Sequence, residues 1–303
     1  MPPKTQGLIA APFTPLDAQG CIRPDAVPAY AEFLRRNGVS GVFVNGTTGE
    51  GLSLTLEERK ALASAWVSAA SGLKIVIHVG ATCVDDAQLM ARHAQEIGAD
   101  AVAALPPFFF KPATPRELAS ALRPIAAAAP ALPFYYYHIP SMTGVSIAVH
   151  EFLEAAADIP NLAGAKFTYE NLMDFQLCLA AQGGRFDILF GRDEILLAGL
   201  ALGACGAVGS TYNFAAPLYI SLLAAFERGD LAEARKRQLQ AAEMIRFVVA
   251  SGIHPIAAFK AGMKFLGIDC GPLRPPLPTA TPEQETMLRT GLERIGFFGY
   301  ACR

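Results

Sequence analysis

The stretch Leu162-Ala163-Gly164-Ala165-Lys166 is a short apolar run closed by a single lysine, and it reads as a buried strand. A helical stretch over 147–157 precedes it and another over 170–182 follows. The same succession continues in both directions. Short β-branched, small-residue or aromatic runs at Gly7–Thr14, Gly41–Val44, Lys74–Gly80, Ala101–Leu105, Phe134–His138, Leu162–Thr168, Phe186–Gly191 and Gly206–Gly209 read as strands. Ala/Leu-rich stretches near 25–37, 55–70, 85–97, 115–129 and 193–203 read as the helices between the others. Such alternation is the pattern of a parallel sheet. Eight strands joined by seven helices predict an α/β fold, a closed (β/α)8 TIM barrel, with an open doubly wound sheet as the alternative.

Helix-start chemistry fits that register. Thr55-Leu56-Glu57-Glu58 has the form of a capping box, with Glu58 three residues after Thr55. Asp85 is expected to cap one further helix, and Thr114-Pro115 supplies a cap followed by a first-turn proline. Beyond the last strand, Phe214–Arg228, Leu231–Val249, Pro255–Phe265 and Pro282–Arg294 read as added helices. The expected division is a barrel over 1–213 and a C-terminal helical extension over 214–303, packed together as one structural unit. The proline-rich link Gly271-Pro272-Leu273-Arg274-Pro275-Pro276-Leu277-Pro278 is too stiff for a helix interior and reads as a wrapped connection.

Composition narrows the class. With 52% hydrophobic and 17% charged residues the chain has ample material for a core and no signature of disorder. A formal net charge of −2 offers no electrostatic footprint for nucleic acid or an anionic membrane. No uninterrupted apolar stretch reaches the roughly 20 residues of a membrane span. The start, Met1-Pro2-Pro3-Lys4-Thr5-Gln6, lacks the apolar core of a signal peptide, so a cytoplasmic location is expected. The six cysteines and five histidines are scattered without metal-ligand spacing, and no metal is expected.

In a barrel of this kind the chemistry gathers at the C-terminal ends of the strands. Lys166 stands at one such end. Burial disfavours an ammonium, lowers its pKa and leaves a neutral amine able to form a Schiff base with a ketone. A strand-end lysine paired with a carboxylate is the plainer reading. The second strand runs into Asn45-Gly46-Thr47-Thr48-Gly49-Glu50-Gly51, whose N–H groups and hydroxyls suit a small anion. Without Gly-Lys-Ser/Thr this is no nucleotide loop, and a carboxylate is the better guest. The fifth strand carries Tyr135-Tyr136-Tyr137, and alternation sends Tyr135 and Tyr137 to one face and Tyr136 to the other. One of them could relay a proton, while core filling accounts for the rest. The seventh strand ends in Gly191-Arg192-Asp193-Glu194 and the eighth in Gly209-Ser210-Thr211. The acidic pair fits an acid/base couple, hydroxyl acceptors for a sugar, or first-turn helix charges.

Taken together, Gly-Thr-Thr-Gly-Glu at 46–50, Tyr-Tyr-Tyr-His-Ile-Pro at 135–140, Lys166 and Gly-x-Asp-Glu at 191–194 resemble the dihydrodipicolinate synthase/N-acetylneuraminate lyase superfamily. The likeness covers nearly the whole chain, and within the superfamily it is strongest to the sialic-acid-cleaving branch of animal type. The resemblance implies a class I aldolase that reversibly cleaves N-acetylneuraminate to pyruvate and N-acetylmannosamine, with no cofactor. It implies Lys166 as the imine-forming amine and Tyr137 as the proton-transfer group. It implies Thr47 and Thr48 as the carboxylate-binding pair, and Thr168, Gly191, Asp193, Glu194 and Ser210 as the groups holding the hydroxylated tail. A homotetramer is the usual assembly of such proteins.

Two departures stand out. Dihydrodipicolinate synthases carry an arginine after the fifth-strand tyrosines, where this chain has Met142, and losing bidentate carboxylate recognition counts against that activity. Many relatives also place a neighbouring subunit's tyrosine in the site from the loop that here reads Pro107-Phe108-Phe109-Phe110-Lys111. The rival readings are another pyruvate-dependent aldolase, acting on 2-keto-3-deoxy sugar acids, and a non-catalytic sugar-acid sensor.

Overall fold

A computed structural model describes residues 4–70 and 72–303, so the first three residues of the polar start lie outside the described residues. The sheet is a closed barrel in the order β1 to β8, and each strand runs parallel to its neighbours. The strands are β1 (Gly7–Ala10), β2 (Gly41–Val44), β3 (Lys74–His78), β4 (Ala101–Ala104), β5 (Phe134–His138), β6 (Leu162–Phe167), β7 (Asp187–Phe190) and β8 (Gly206–Gly209). Closure comes from β1 on β8, with Gly7 opposite Gly206 and Ala10 opposite Gly209. The open-sheet alternative is thereby set aside.

The helices are α1 (Val27–Arg36), α2 (Leu56–Ser68), α3 (Val84–Glu96), α4 (Pro115–Ala127), a one-turn α5 (Pro140–Thr143), α6 (Val149–Ala155), α7 (Leu172–Gly184), α8 (Leu196–Leu202), α9 (Tyr212–Glu227), α10 (Leu231–Val249), α11 (Pro255–Phe265) and α12 (Pro282–Arg294). The Thr55–Glu58 capping box is formed in both directions, and Thr114 accepts from Glu117 N ahead of Pro115. Asp85 does not cap. The cap position of α3 falls on Cys83, which makes no side-chain bond, and Asp85 lies in the first turn, where its charge still suits the helix dipole.

Side chains separate into two cores because strands alternate and the barrel has an inside. Ile9, Phe43, Val76, Ala103, Tyr135, Tyr137 and Leu189 fill the barrel. Tyr136, Phe134 and Phe167 join the larger layer between strands and helices, where Trp66 meets Tyr30 edge-on at 5.4 Å. Each such buried aromatic contributes about 1.5–3 kcal/mol of transfer free energy.

The C-terminal helices are bound into the barrel by polar and aromatic contacts. Asn213 Nδ2 donates to Ala11 O at 2.6 Å, and Phe214 packs on Phe259 and Phe297. The proline-rich link wraps as a turn-containing connection: Arg274 N donates to Glu50 Oε2 at 2.7 Å, and its guanidinium engages Glu58. Among the described residues no helix is long and apolar enough to cross a membrane.

Candidate active site

Register brings the two central groups together. Tyr137 on β5 stands opposite Lys166 on β6, and Lys166 opposite Leu189 on β7. Lys166 Nζ lies 4.1 Å from the ring centroids of both Tyr137 and Phe43, held in an aromatic nest rather than against a carboxylate. Only 4% of the residue is exposed, and burial lowers the ammonium's pKa from 10.5 to about 7, with the more distant Asp193 opposing the shift. The plainer reading, a strand-end lysine in an ion pair, does not describe this geometry.

The turn after β2 lies across from these groups. Thr47 Oγ1 is 3.1 Å from the Tyr137 hydroxyl, and Thr48 Oγ1 is 2.6 Å from Ser210 Oγ. Burial raises the Tyr137 phenol to about 12, with the Thr47 hydroxyl offsetting part of the shift. At neutral pH the phenol therefore keeps its proton.

The strand-end glycines exist for close approach. A Cβ at Gly191 would sit 2.2 Å from Thr168 Oγ1, and one at Gly209 would sit 1.9 Å from Asp193 Oδ1. Asp193 is buried and accepts from Thr211 N at 2.9 Å and from the Thr211 hydroxyl at 2.6 Å. Burial still dominates and lifts its carboxyl to about 6. Glu194 differs: it is about one-third exposed and lies 3.2 Å from Arg192, which also pairs with Glu170.

Lys166, Tyr137, Thr47, Thr48, Thr168, Gly191, Asp193, Glu194 and Ser210 all line one cavity of about 280 Å³. The sequence pattern had not singled out its remaining wall. Ile245 and Val249 of α10 and Pro255, Ile256 and Phe259 of α11 line it from the C-terminal helices, and Ile139 and Arg192 line it as well. Arg192 sits inside the Gly-x-Asp-Glu motif, so proximity alone could have flagged it. The α10 and α11 residues carry no local signal because their contact with the cavity depends on how the helices dock. A larger depression of about 690 Å³ beside Lys260 and Lys264 shares none of these residues. Among the described residues no group of three or more His, Cys, Asp or Glu is placed to hold a metal ion.

A buried amine with its pKa lowered to about 7, a protonated phenol and a hydroxyl-lined turn in one barrel mouth have the make-up of a Schiff-base type of site. The model of the dihydrodipicolinate synthetase family matches residues 4–295, and the chain belongs to that family. Its relatives include the N-acetylneuraminate lyase of Rattus norvegicus, 45% identical over 98% of this chain and 94% of the relative. The N-acetylneuraminate lyase of Homo sapiens is 43% identical over the same shares. Among solved structures, the Proteus mirabilis N-acetylneuraminate lyase superposes with a TM-score of 0.94 at 42% identity, covering 97% of this chain and 100% of that one.

Proposed function

We propose that this protein is a class I aldolase that reversibly cleaves N-acetylneuraminate to pyruvate and N-acetylmannosamine. The observation that carries the reading is Lys166, a buried amine with a pKa of about 7 in the cavity that also holds Tyr137 and the Thr47-Thr48 turn. Full-length similarity to N-acetylneuraminate lyases supports the choice of substrate.

In this reading Lys166 adds to the C2 ketone of the open-chain sugar and loses water to give a protonated imine. The C4 hydroxyl gives up its proton, the C3–C4 bond breaks, and its electron pair enters the imine as an enamine while the aldehyde departs. Protonation at C3 and hydrolysis release pyruvate and restore the amine. Because Tyr137 holds its proton at neutral pH, it acts as a relay, passing its own proton to the substrate carboxylate as it takes the one from C4. Thr47 and Thr48 receive that carboxylate through hydroxyl and N–H groups, which leave it basic enough to accept. Thr168, Gly191, Asp193, Glu194 and Ser210 bind the polyol tail, where a missing hydroxyl would leave buried acceptors unpaired.

Phe109 and Phe110 are 76% and 85% exposed, which supports a contact with a second copy, in the homotetramer that the family resemblance implies. The test compares turnover of N-acetylneuraminate with that of 2-keto-3-deoxygluconate. Preference for the nine-carbon sugar acid is expected, with Asp193→Asn or Glu194→Gln reducing its cleavage more than pyruvate binding. Preference for the six-carbon acid would transfer the chain to the rival aldolase reading.

A further inference from the structure

Behind the anion turn lies a closed polar frame that the reaction steps above do not use. Asn45, the residue that launches the turn, has a left-handed backbone at φ 61. Its Nδ2 donates to Arg59 O on α2 at 3.0 Å. The Arg59 guanidinium donates in turn to His78 O and Gly80 O at the end of β3, each at 2.9 Å. His78 Nδ1 closes the circle at 3.0 Å from Asn45 O, and since a carbonyl only accepts, the hydrogen sits on Nδ1. The frame touches the reactive groups directly: the His78 ring meets Tyr137 edge-on at 5.7 Å and Phe43 at 6.1 Å, the two rings that hold Lys166 Nζ.

All three side chains are at least 95% buried, and each also carries a buried polar atom with no partner: Asn45 Oδ1, Arg59 Nε and His78 Nε2. Among the described residues Arg59 has no carboxylate in ion-pair reach. A buried, unpaired guanidinium and three orphaned polar atoms are a poor way to stabilise a fold. Departures from that rule gather at functional sites. Burial lowers Arg59 only to about 10, so it stays a cation, and burial together with that nearby charge holds His78 well below the usual imidazole range.

We infer that Arg59 and His78 are positioning residues for the anion-binding turn, and that through Asn45 they set how tightly the site holds the carboxylate of a 2-oxo acid. The frame fixes the strained residue from which Thr47 and Thr48 hang, and its one permanent positive charge favours an anion at the turn. The inference rests on Lys166 being the imine-forming amine.

The experiment uses borohydride trapping on Lys166 with two ketones, pyruvate and uncharged acetone, in the full chain and in Arg59→Met, Arg59→Lys and His78→Phe. Arg59→Met should raise the half-saturating pyruvate concentration about tenfold or more while acetone labelling stays within about twofold. Arg59→Lys should recover part of the loss, and His78→Phe should give the same selective effect at smaller size. Equal losses for both ketones, or unchanged pyruvate saturation, would overturn the inference. Should Arg59→Met not fold, His78→Phe decides alone, because its ring keeps the aromatic contacts and loses the Nδ1 donor together with the unpartnered Nε2. No pyruvate adduct on Lys166 in the unsubstituted protein would defeat both the inference and the reading beneath it. An adduct there, with no selective loss in the variants, would defeat the frame alone.

Discussion

Glu50 and Lys260 form an ion pair at 3.1 Å with side chains only 1% and 3% exposed, joining positions 210 residues apart. Glu50 ends the turn that carries Thr47 and Thr48, and Lys260 lies on α11 next to Phe259, which lines the cavity. Lys260 also donates to Pro272 O at 2.6 Å, and the second Glu50 oxygen accepts from Arg274 N. The pair therefore pins the turn to the C-terminal layer, making both one site.

Lys260→Met should leave the Glu50 carboxylate buried without its cation and cost about 3–5 kcal/mol of stability. Adding Glu50→Gln should recover a good part of that loss, since the unpaired charge is then gone. Denaturant unfolding of the two single variants and the double variant checks this. A double variant no more stable than Lys260→Met would contradict it.

Lys166 carries a stability penalty with a defined pH window. Its folded pKa of about 7 lies below the ordinary 10.5, so between those values the unfolded chain binds the extra proton. Stability rises with pH across that window, and the penalty is full below about 7 and absent above 10.5. Lys166→Met should therefore stabilise the protein at pH 6 by a few kcal/mol and lose that advantage as the pH approaches 10.5. Imine formation should follow the neutral amine, rising through about pH 7 and then levelling. Unfolding curves at two pH values and a pH profile of imine trapping read the two effects separately.

Tyr137→Phe keeps the ring against Lys166 and removes the hydroxyl that meets Thr47. Pyruvate should still be trapped on Lys166, while cleavage falls about 10²-fold or more, the range of a lost proton-transfer group. Cleavage at the original rate would remove Tyr137 from the relay.

Gly209→Ala places a methyl where Asp193 Oδ1 now lies, at 1.9 Å. The carboxylate must then leave its bonds to Thr211. Sugar-acid cleavage should drop sharply with pyruvate trapping largely kept, as the proposed tail-binding role of Asp193 requires. Parallel losses in both assays would show that Asp193 supports the whole barrel mouth.

The parts of this site written in local sequence were legible. Lys166, Tyr137 and Thr47-Thr48 sit at strand ends, and strand ends follow from alternation and turn chemistry; Gly41–Val44, Phe134–His138 and Gly206–Gly209 match their expected bounds. Other strands end one to four residues sooner, most of all β1, because ladder pairing stops before the apolar run does. The Ile245, Val249, Ile256 and Phe259 wall, the Glu50–Lys260 pair and the Asn45–Arg59–His78 frame were not legible. Each depends on contacts between segments far apart in the chain, and an apolar helix face looks the same whether it covers core or cavity. His78 illustrates this: a lone histidine ending an apolar strand gives no sign of the carbonyl it will hold.

The most direct test of the account is borohydride reduction during incubation with N-acetylneuraminate, followed by peptide mass spectrometry and assay for free N-acetylmannosamine. The account predicts a pyruvate-sized adduct on Lys166, release of the amino sugar, and loss of both in Lys166→Ala. An adduct on another residue, or undiminished trapping in Lys166→Ala, would contradict it.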